Sequence, residues 1–396
     1  MSNTNLINDI VLPDSMVVFR NNTVLTNSLG PHYDDSYQYK GAKAGDTINL
    51  RTHQEFSVRE DSLNIDVQDV EQKEVALART KIFGVDMKYS DAELTQDVDG
   101  FMEYRVKPAM ATLAAKVDQY VYNTIADGVS QGVTLPVTNI DSDDILNAGV
   151  ALDNASVRRD SSRTVILSPK GHKQLVSSSA ALFNNATNIS QQYNDGIVKV
   201  PSLGFNFGMS QNVNTHTTGS YNTSYDIATV PTSGDTTLDI DTGTGTIKKG
   251  DVISVAVNGV NKLHKGDTGE LAQFTVTADS AGGTVTIGIS PAIISEGPYQ
   301  NVVAMPALND TVSFIGTAST AYPQGLAFHP SVGAVGFSDL VLPTNNGEAY
   351  RKAEDGISMR CWSFSDGMSS QQFMRFDILC GAVAVEPTAG CRIYTP

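Results

Sequence analysis

Tryptophan occurs once in 396 residues and cysteine three times. Lysine and arginine together number 27, against 43 aspartates and glutamates. Each shortage removes a class of function. A single tryptophan gives little of the broad aromatic surface that a sugar-binding or adhesive module presents. Cys361, Cys380 and Cys391 are odd in number and lack CxxC spacing. A disulfide framework and a zinc site are both disfavoured, and free buried thiols in a reducing cytoplasm are expected. The formal net charge is −16, and no basic run exceeds the pairs Arg158-Arg159 and Lys248-Lys249. Specific gripping of nucleic acid needs a basic face, which is missing.

Other absences concern membranes and metals. No stretch approaches the ~18 apolar residues of a membrane span. Residues 1–14 are polar and lack the apolar segment of a signal peptide. The six histidines (32, 53, 172, 216, 264 and 329) are scattered, with no pair at metal-ligand spacing. A metal-dependent hydrolase is therefore disfavoured. No carboxylate pairing singles out a general acid and base. The expectation is a protein that is not an enzyme and carries no cofactor or metal.

Three short patterns resemble chemistry and fail on context. Gly128-Val129-Ser130-Gln131-Gly132 matches a nucleophile elbow, but that turn needs a strand before the serine and a helix after it. Here the predicted order is helix first, then loop. Asp239-Ile240-Asp241-Thr242-Gly243 opens like a calcium loop, yet glycine stands at position five and Gly250 at position twelve, where oxygen ligands are needed. Gly243-Thr244-Gly245 before Lys248-Lys249-Gly250 meets neither dinucleotide nor Walker spacing.

What is present is an ordinary globular composition, 40% hydrophobic and 18% charged. The length exceeds what one core usually serves, so two or three compact units are expected. Thirty-three glycines, with frequent threonine and valine, favour short strands and turns. Residues 1–40 are polar and weakly periodic and read as an extended arm outside any core. In 45–89, Ile48 and Leu50 alternate with polar neighbours, as do Leu63, Ile65 and Val67, and Val75 and Leu77. The pattern is a long two-stranded excursion with a charged tip, which needs a neighbour to lie on.

Residues 91–127 hold the best helix signal. Ser90 with Glu93 fits a capping box. Val98, Met102, Val106, Met110, Leu113, Val117, Val121 and Ile125 form one stripe, with Glu103, Lys107, Lys116 and Asp118 largely off it. Pro108 predicts a kink or a fresh helix start near Lys107, and Gly128 an ending. Residues 141–182 read as helix, strand, helix: Ser142 as cap, a buried strand at 164–167, and Pro169 opening the second helix. From 225 to 320, strand-like pieces at 237–240, 252–257, 273–277, 284–289 and 311–314 alternate with glycine turns. They suggest an antiparallel sandwich or small barrel inserted into another domain. Strands return over 358–364, 375–379, 382–386 and 391–394.

Several of these segments, taken in order, resemble the coat proteins of short-tailed bacteriophages. They are Gly45-Asp46-Thr47-Ile48-Asn49-Leu50-Arg51, Val67-Gln68-Asp69-Val70-Glu71 and Tyr89-Ser90-Asp91-Ala92-Glu93-Leu94. The helix around Pro108-Ala109 and Leu113-Ala114-Ala115-Lys116-Val117-Asp118 extends the match. So do Leu167-Ser168-Pro169-Lys170, Ile247-Lys248-Lys249-Gly250-Asp251-Val252-Ile253, Leu326-Ala327-Phe328-His329-Pro330 and Arg375-Phe376-Asp377-Ile378-Leu379-Cys380-Gly381.

The resemblance implies an α+β chain with the HK97-like fold of tailed-phage and herpesvirus major capsid proteins, plus an inserted six-stranded β-barrel. It divides the sequence into an N-terminal arm (1–44), an extended loop (45–89), a peripheral domain with a spine helix (90–128), an axial domain (129–224), the barrel (225–320) and a return (321–396). It implies self-assembly into hexamers and pentamers of an icosahedral shell around double-stranded DNA, with scaffolding and portal proteins as partners and no membrane. Assembly is expected in the bacterial host cytoplasm, giving a virion component. A strongly acidic surface suits a DNA container, because it repels polyanions.

Family members can carry a long charged hairpin early in the barrel that reaches a neighbouring capsomer. Residues 229–235 are short at that place. Lys262, His264, Lys265, Asp267 and Glu270 form a charged loop, either a substitute contact or a solvated turn. Arg51, Arg59, Glu60 and Asp61 near the extended loop are candidates for ion pairs between subunits. The rival expectation from another class is a β-rich adhesive or carbohydrate-binding module.

Overall fold

The computed structural model describes residues 11–29, 32–34, 47–58, 73–90, 102–133, 140–179, 203–222, 224–343, 347–366 and 371–395. The chain separates into two compact units. One comprises 1–50, 75–122 and 334–383, the other 51–74, 123–333 and 384–396.

In the first unit, Leu12–Asn22 is a helix with Pro13 in its first turn and Leu12, Met16 and Phe19 buried. This corrects the extended reading of that stretch. Spacings of four and three put these side chains on one stripe, and a helix is the conformation that buries them together. A second short helix, Leu25–Leu29, follows. Thr26, near its start, donates from both its amide and its hydroxyl to the buried Asp118 carboxylate, each at 3.1 Å. Asp118 was expected off the buried stripe of the long helix. It is buried because Thr26 offers two donors.

The long helix Lys107–Gly128 begins after one π-helical turn, Met102–Val106. Proline at the second α position lacks an amide that the first turn leaves unbonded anyway, so a fresh start there costs little. Val106, Met110, Leu113, Val117, Val121 and Ile125 are all buried, as the stripe requires. Ser90 ends a strand, Lys81–Ser90. The capping box it was to form with Glu93, together with Val98 and residues 63–67, lies outside the described residues.

The sheet of this unit runs in the order His32–Asp34, Gly333–Ser338, Gln371–Ala384, Ile357–Asp366, Glu348–Glu354, with Lys81–Ser90 also pairing to Gln371–Ala384. Asp377 sits in it fully buried. It accepts from Arg360 Nε at 3.2 Å and Arg375 Nε at 2.7 Å, so two guanidinium groups compensate the buried carboxylate. Gly84 lies opposite Asp377. A Cβ at 84 would stand 2.5 Å from a carboxylate oxygen, so only glycine leaves room for this cluster.

The second unit contains a closed six-stranded barrel, in the order Asp235–Asp241, Val285–Ile293, Asp267–Val276, Val252–Val260, Thr311–Phe314, Tyr225–Ile227. Closure leaves no free strand edge. Its interior is one apolar cluster that includes Tyr225, Leu238, Ile240, Ile253, Phe274 and Ile287. Beside it lies a sheet in the order Gln131–Val133, Gly390–Tyr394, Ala321–Phe328, Thr164–Leu167, Asn206–Met209. The helices Ser142–Asn154 and Pro169–Ser179 belong to the same α/β part. The first helix is capped by Asp141, one residue earlier than expected, in a reciprocal box with Asp144. The long helix ends at Gly128. Glycine is required there by close approach, since a Cβ would come within 2.3 Å of the Ala384 Cβ.

Between residues 47 and 78, Thr47–Arg51 pairs with Glu74–Ala78 as a separate two-stranded ribbon.

Candidate subunit-contact residues

The proposed contact residues fall into three groups. Arg59, Glu60 and Asp61 lie outside the described residues. Arg51 closes the ribbon with a loose pair to Glu74, at 3.9 Å and with both side chains largely in solvent. Such a pair contributes little. The remaining four lie on or beside the barrel hairpin formed by Val252–Val260 and Asp267–Val276.

The turn of this hairpin is tied down by its own backbone and by a neighbour. The Asn261 amide donates to Gly266 O at 2.9 Å, and the Lys265 amide to Asn261 O at 3.0 Å. Asn261 Oδ1 accepts from the Leu263 amide at 3.0 Å and from Ser156 Oγ at 2.8 Å. Asn261 Nδ2 donates to Asn154 O at 3.1 Å, which anchors the turn to the end of the Ser142–Asn154 helix. Lys265 sits in the left-handed region, with φ 54°.

From this turn the two lysines reach across to other segments. Lys265 Nζ lies 3.0 Å from Glu55 Oε2, and Lys262 Nζ lies 3.4 Å from Glu55 Oε1. Lys262 also pairs with Glu386. The four side chains are mostly sheltered, with exposures of 16–27%. Burial pulls the Lys262 pKa down, and the Glu386 and Glu55 carboxylates more than reverse this, so the net shift is upward. The two cations are therefore engaged within the chain. Asp267 is exposed and turns back on its own hairpin, accepting from the Gly269 amide at 2.8 Å and from Asn258 Nδ2 at 3.1 Å. These donors, Gly269 first, lower its pKa and keep it ionised. Glu270 is exposed and makes no ion pair among the described residues.

Sequence reasoning missed the partners of this cluster. Glu55 and Glu386 are isolated acids with no local pattern around them, and only the fold brings them to the hairpin. It also missed Arg392, which is fully buried on the strand Gly390–Tyr394. Arg392 donates to Val129 O at 2.7 Å, to Thr275 Oγ1 at 2.8 Å, and to Gly250 O. One side chain thus joins the end of the long helix to two parts of the barrel. Nearby, His216 Nε2 is 2.7 Å from the buried Asp251, and Gly250, with φ 90°, turns the chain beside them. Asp127, at the foot of the helix, has its pKa raised by burial, against the opposing pull of Lys249, Arg392 and His216.

The chemical patterns resolve into structure. Ser130 follows a helix and precedes a strand, and both its amide and its hydroxyl meet Pro387 O, at 3.0 and 3.3 Å. Asp239 accepts from Thr286 Oγ1 across the barrel wall. Among the described residues, no three His, Cys, Asp or Glu side chains gather as metal ligands would. No helix among them is long and apolar enough to cross a membrane. The three cysteines are buried and unpaired, and burial pushes each thiol up to about 12, with Asp377 adding to the effect at Cys361.

Residues 83–394 match the P22 coat protein family, described as P22 coat protein, gene protein 5. The chain belongs to the P22 coat protein family. The matched span runs from the strand Lys81–Ser90 to the last strand and takes in the whole barrel, so the likeness to short-tailed-phage coat proteins read from the sequence is family membership. The chain is a coat protein of a tailed phage, α+β with an inserted closed barrel. A curated relative, the major capsid protein of Acyrthosiphon pisum secondary endosymbiont phage 1, is 29% identical over 164 residues. That match spans 38% of this chain and 38% of the relative's own length. Among solved structures, chains from Mycobacterium phage Che8 and Gordonia phage Cozz align at 13% and 12% identity, with TM-scores of 0.48 and 0.44. Each alignment covers 94% of this chain, and 90% and 86% of theirs.

Proposed function

We propose that this coat protein builds hexamers and pentamers of an icosahedral shell that encloses double-stranded phage DNA, and that it catalyses nothing and needs no cofactor. The observation that carries the assembly reading is the ribbon Thr47–Arg51 with Glu74–Ala78. A two-stranded ribbon alone is marginal in water. The segment leaving it exposes Phe56 by 58% and Val58 by 82%. Phe56 and Val58 leave water when a second copy covers them, and a closed shell repeats that contact many times.

The six-part division fits this role: arm 1–44, loop 45–89, spine 90–128, axial part 129–224, barrel 225–320 and return 321–396. The loop lies across a neighbouring subunit, and Arg51, Arg59, Glu60 and Asp61 form pairs there. Asp267 and Glu270 are the exposed hairpin acids that face another copy. Scaffolding and portal proteins direct assembly in the host cytoplasm. DNA is enclosed without sequence-specific contact, in keeping with a net charge of −16.

The test is negative-stain microscopy with sedimentation, on protein expressed with and without its scaffolding partner. Closed shells or capsomer-sized rings are expected, and Arg59→Glu weakens them. A monomer that never assembles at high concentration with scaffold present overturns the reading. Unchanged particles from Arg59→Glu remove the ion-pair assignment.

A further inference from the structure

The two arms next to the ribbon, residues 52–58 and Lys73, are each gripped by the barrel region of the same compact unit. On the outgoing arm, each carboxylate oxygen of Glu55 meets a different ammonium, at 3.0 and 3.4 Å. On the returning arm, Lys73 Nζ sits 3.6 Å above the centre of the Tyr299 ring. Between the two grips, Thr52 binds Lys73 O with its amide at 3.1 Å and its hydroxyl at 3.0 Å, which locks the arms together.

The receiving side is stiff. The 261–266 turn is braced by Asn261 against Asn154 and Ser156, so the lysines project from a fixed base. Lys262 is also held by Glu386, next to the short helical turn Pro387–Ala389. Two cations and two anions balance, and none is left uncompensated in this sheltered place. On the exposed side, Phe56 and Val58 alternate away from Glu55.

We infer that Lys262 and Lys265 are positioning residues for assembly: by holding Glu55 they fix the direction in which the loop presents Phe56 and Val58 to a second copy of the chain. The inference rests on the assembly reading above. It replaces a direct contact of these lysines with a neighbour by an indirect one. A loop held in its contact geometry loses less conformational freedom when it docks, so contacts form at lower subunit concentration. The returning grip at Tyr299 prevents the arms from splaying when the outgoing grip is strained.

The test is a double-mutant cycle in the full-length chain with Glu55→Gln, Lys265→Gln and the pair. Two readouts are taken: amide hydrogen exchange before assembly, and the subunit concentration at which particles form. In both single variants the amides of residues 52–58 are expected to exchange roughly three to ten times faster, with no further gain in the double variant. The amides of the barrel strand Val252–Val260 stay unchanged, which shows that the fold is intact. The threshold for particle formation rises in all three variants. Unchanged exchange at 52–58, or additive effects in the double variant, overturns the clasp. Faster exchange with an unchanged threshold overturns its role in assembly. A wild-type chain that never assembles overturns the shell reading instead, while the exchange cycle still decides the clasp.

Discussion

The Arg392 guanidinium has no exposed surface, and among the described residues no carboxylate takes its hydrogen bonds. Its donors go to two backbone carbonyls and a threonine hydroxyl, groups that strand and helix ladders leave over at the foot of the long helix and at the Gly250 turn. An arginine can serve three acceptors at once because its fork is planar and rigid. Its Nε finds no partner among the described residues, which offsets part of the gain. Replacing it with methionine keeps much of the volume and removes every donor. Each buried acceptor left alone costs about 1–3 kcal/mol. Allowing for the relieved Nε and the desolvated charge, Arg392→Met is expected to destabilise the unassembled chain by about 3 kcal/mol. Urea unfolding measures this, and an unmoved midpoint would show that water replaces the lost donors.

At the scale of elements, much was legible where periodicity is strong and local. The strand at 164–167, the helix opened by Pro169, the start near Lys107 and five of the six barrel strands follow from spacing and turn residues, while the three-residue strand Tyr225–Ile227 was too short to show a period. The helix at Leu12–Asn22 was not read, because three apolar residues among polar neighbours form a short stripe, and the flanking sequence resembles an arm. Asp118 shows the same limit from the other side. Its burial depends on Thr26, which is 92 residues away. The clasp was half legible: the charged turn stood out, but the acids that answer it are remote in sequence. Its chemistry gives a sign that can be checked. The folded-state pKa of Lys262 lies above the ordinary lysine value of about 10.4. The contribution of Lys262 is therefore complete below that value and fades as pH rises through the higher folded-state one. Glu55, Glu386 and Lys265 are the charged groups that face it. Stepped-pH acetylation read by mass spectrometry should find Lys262 reacting at higher pH than a lysine side chain in a short unstructured peptide. Equal profiles would mean that the carboxylates do not hold the ammonium in solution.

At the scale of the whole molecule, two electrostatic effects oppose each other. Bringing many copies with a net charge of −16 into one shell is repulsive. Ion pairs within and between subunits are attractive. Salt weakens both, but unequally. The screening length falls from about 30 Å at 0.01 M to about 8 Å at 0.15 M, which removes most of the repulsion between exposed charges on neighbouring copies. The Lys262–Glu55–Lys265 contacts are short and sheltered, with exposures of 16–27%, and sheltered pairs are screened much less. Apolar contacts through Phe56 and Val58 do not weaken with moderate salt. The repulsive term therefore loses more. The subunit concentration needed for particle formation is expected to fall several-fold between about 0.01 and 0.15 M salt. Light scattering at fixed pH reads that threshold directly. A threshold that rises over the same range would place exposed ion pairs between subunits, such as those proposed for Arg51 and Arg59, ahead of net charge in governing assembly.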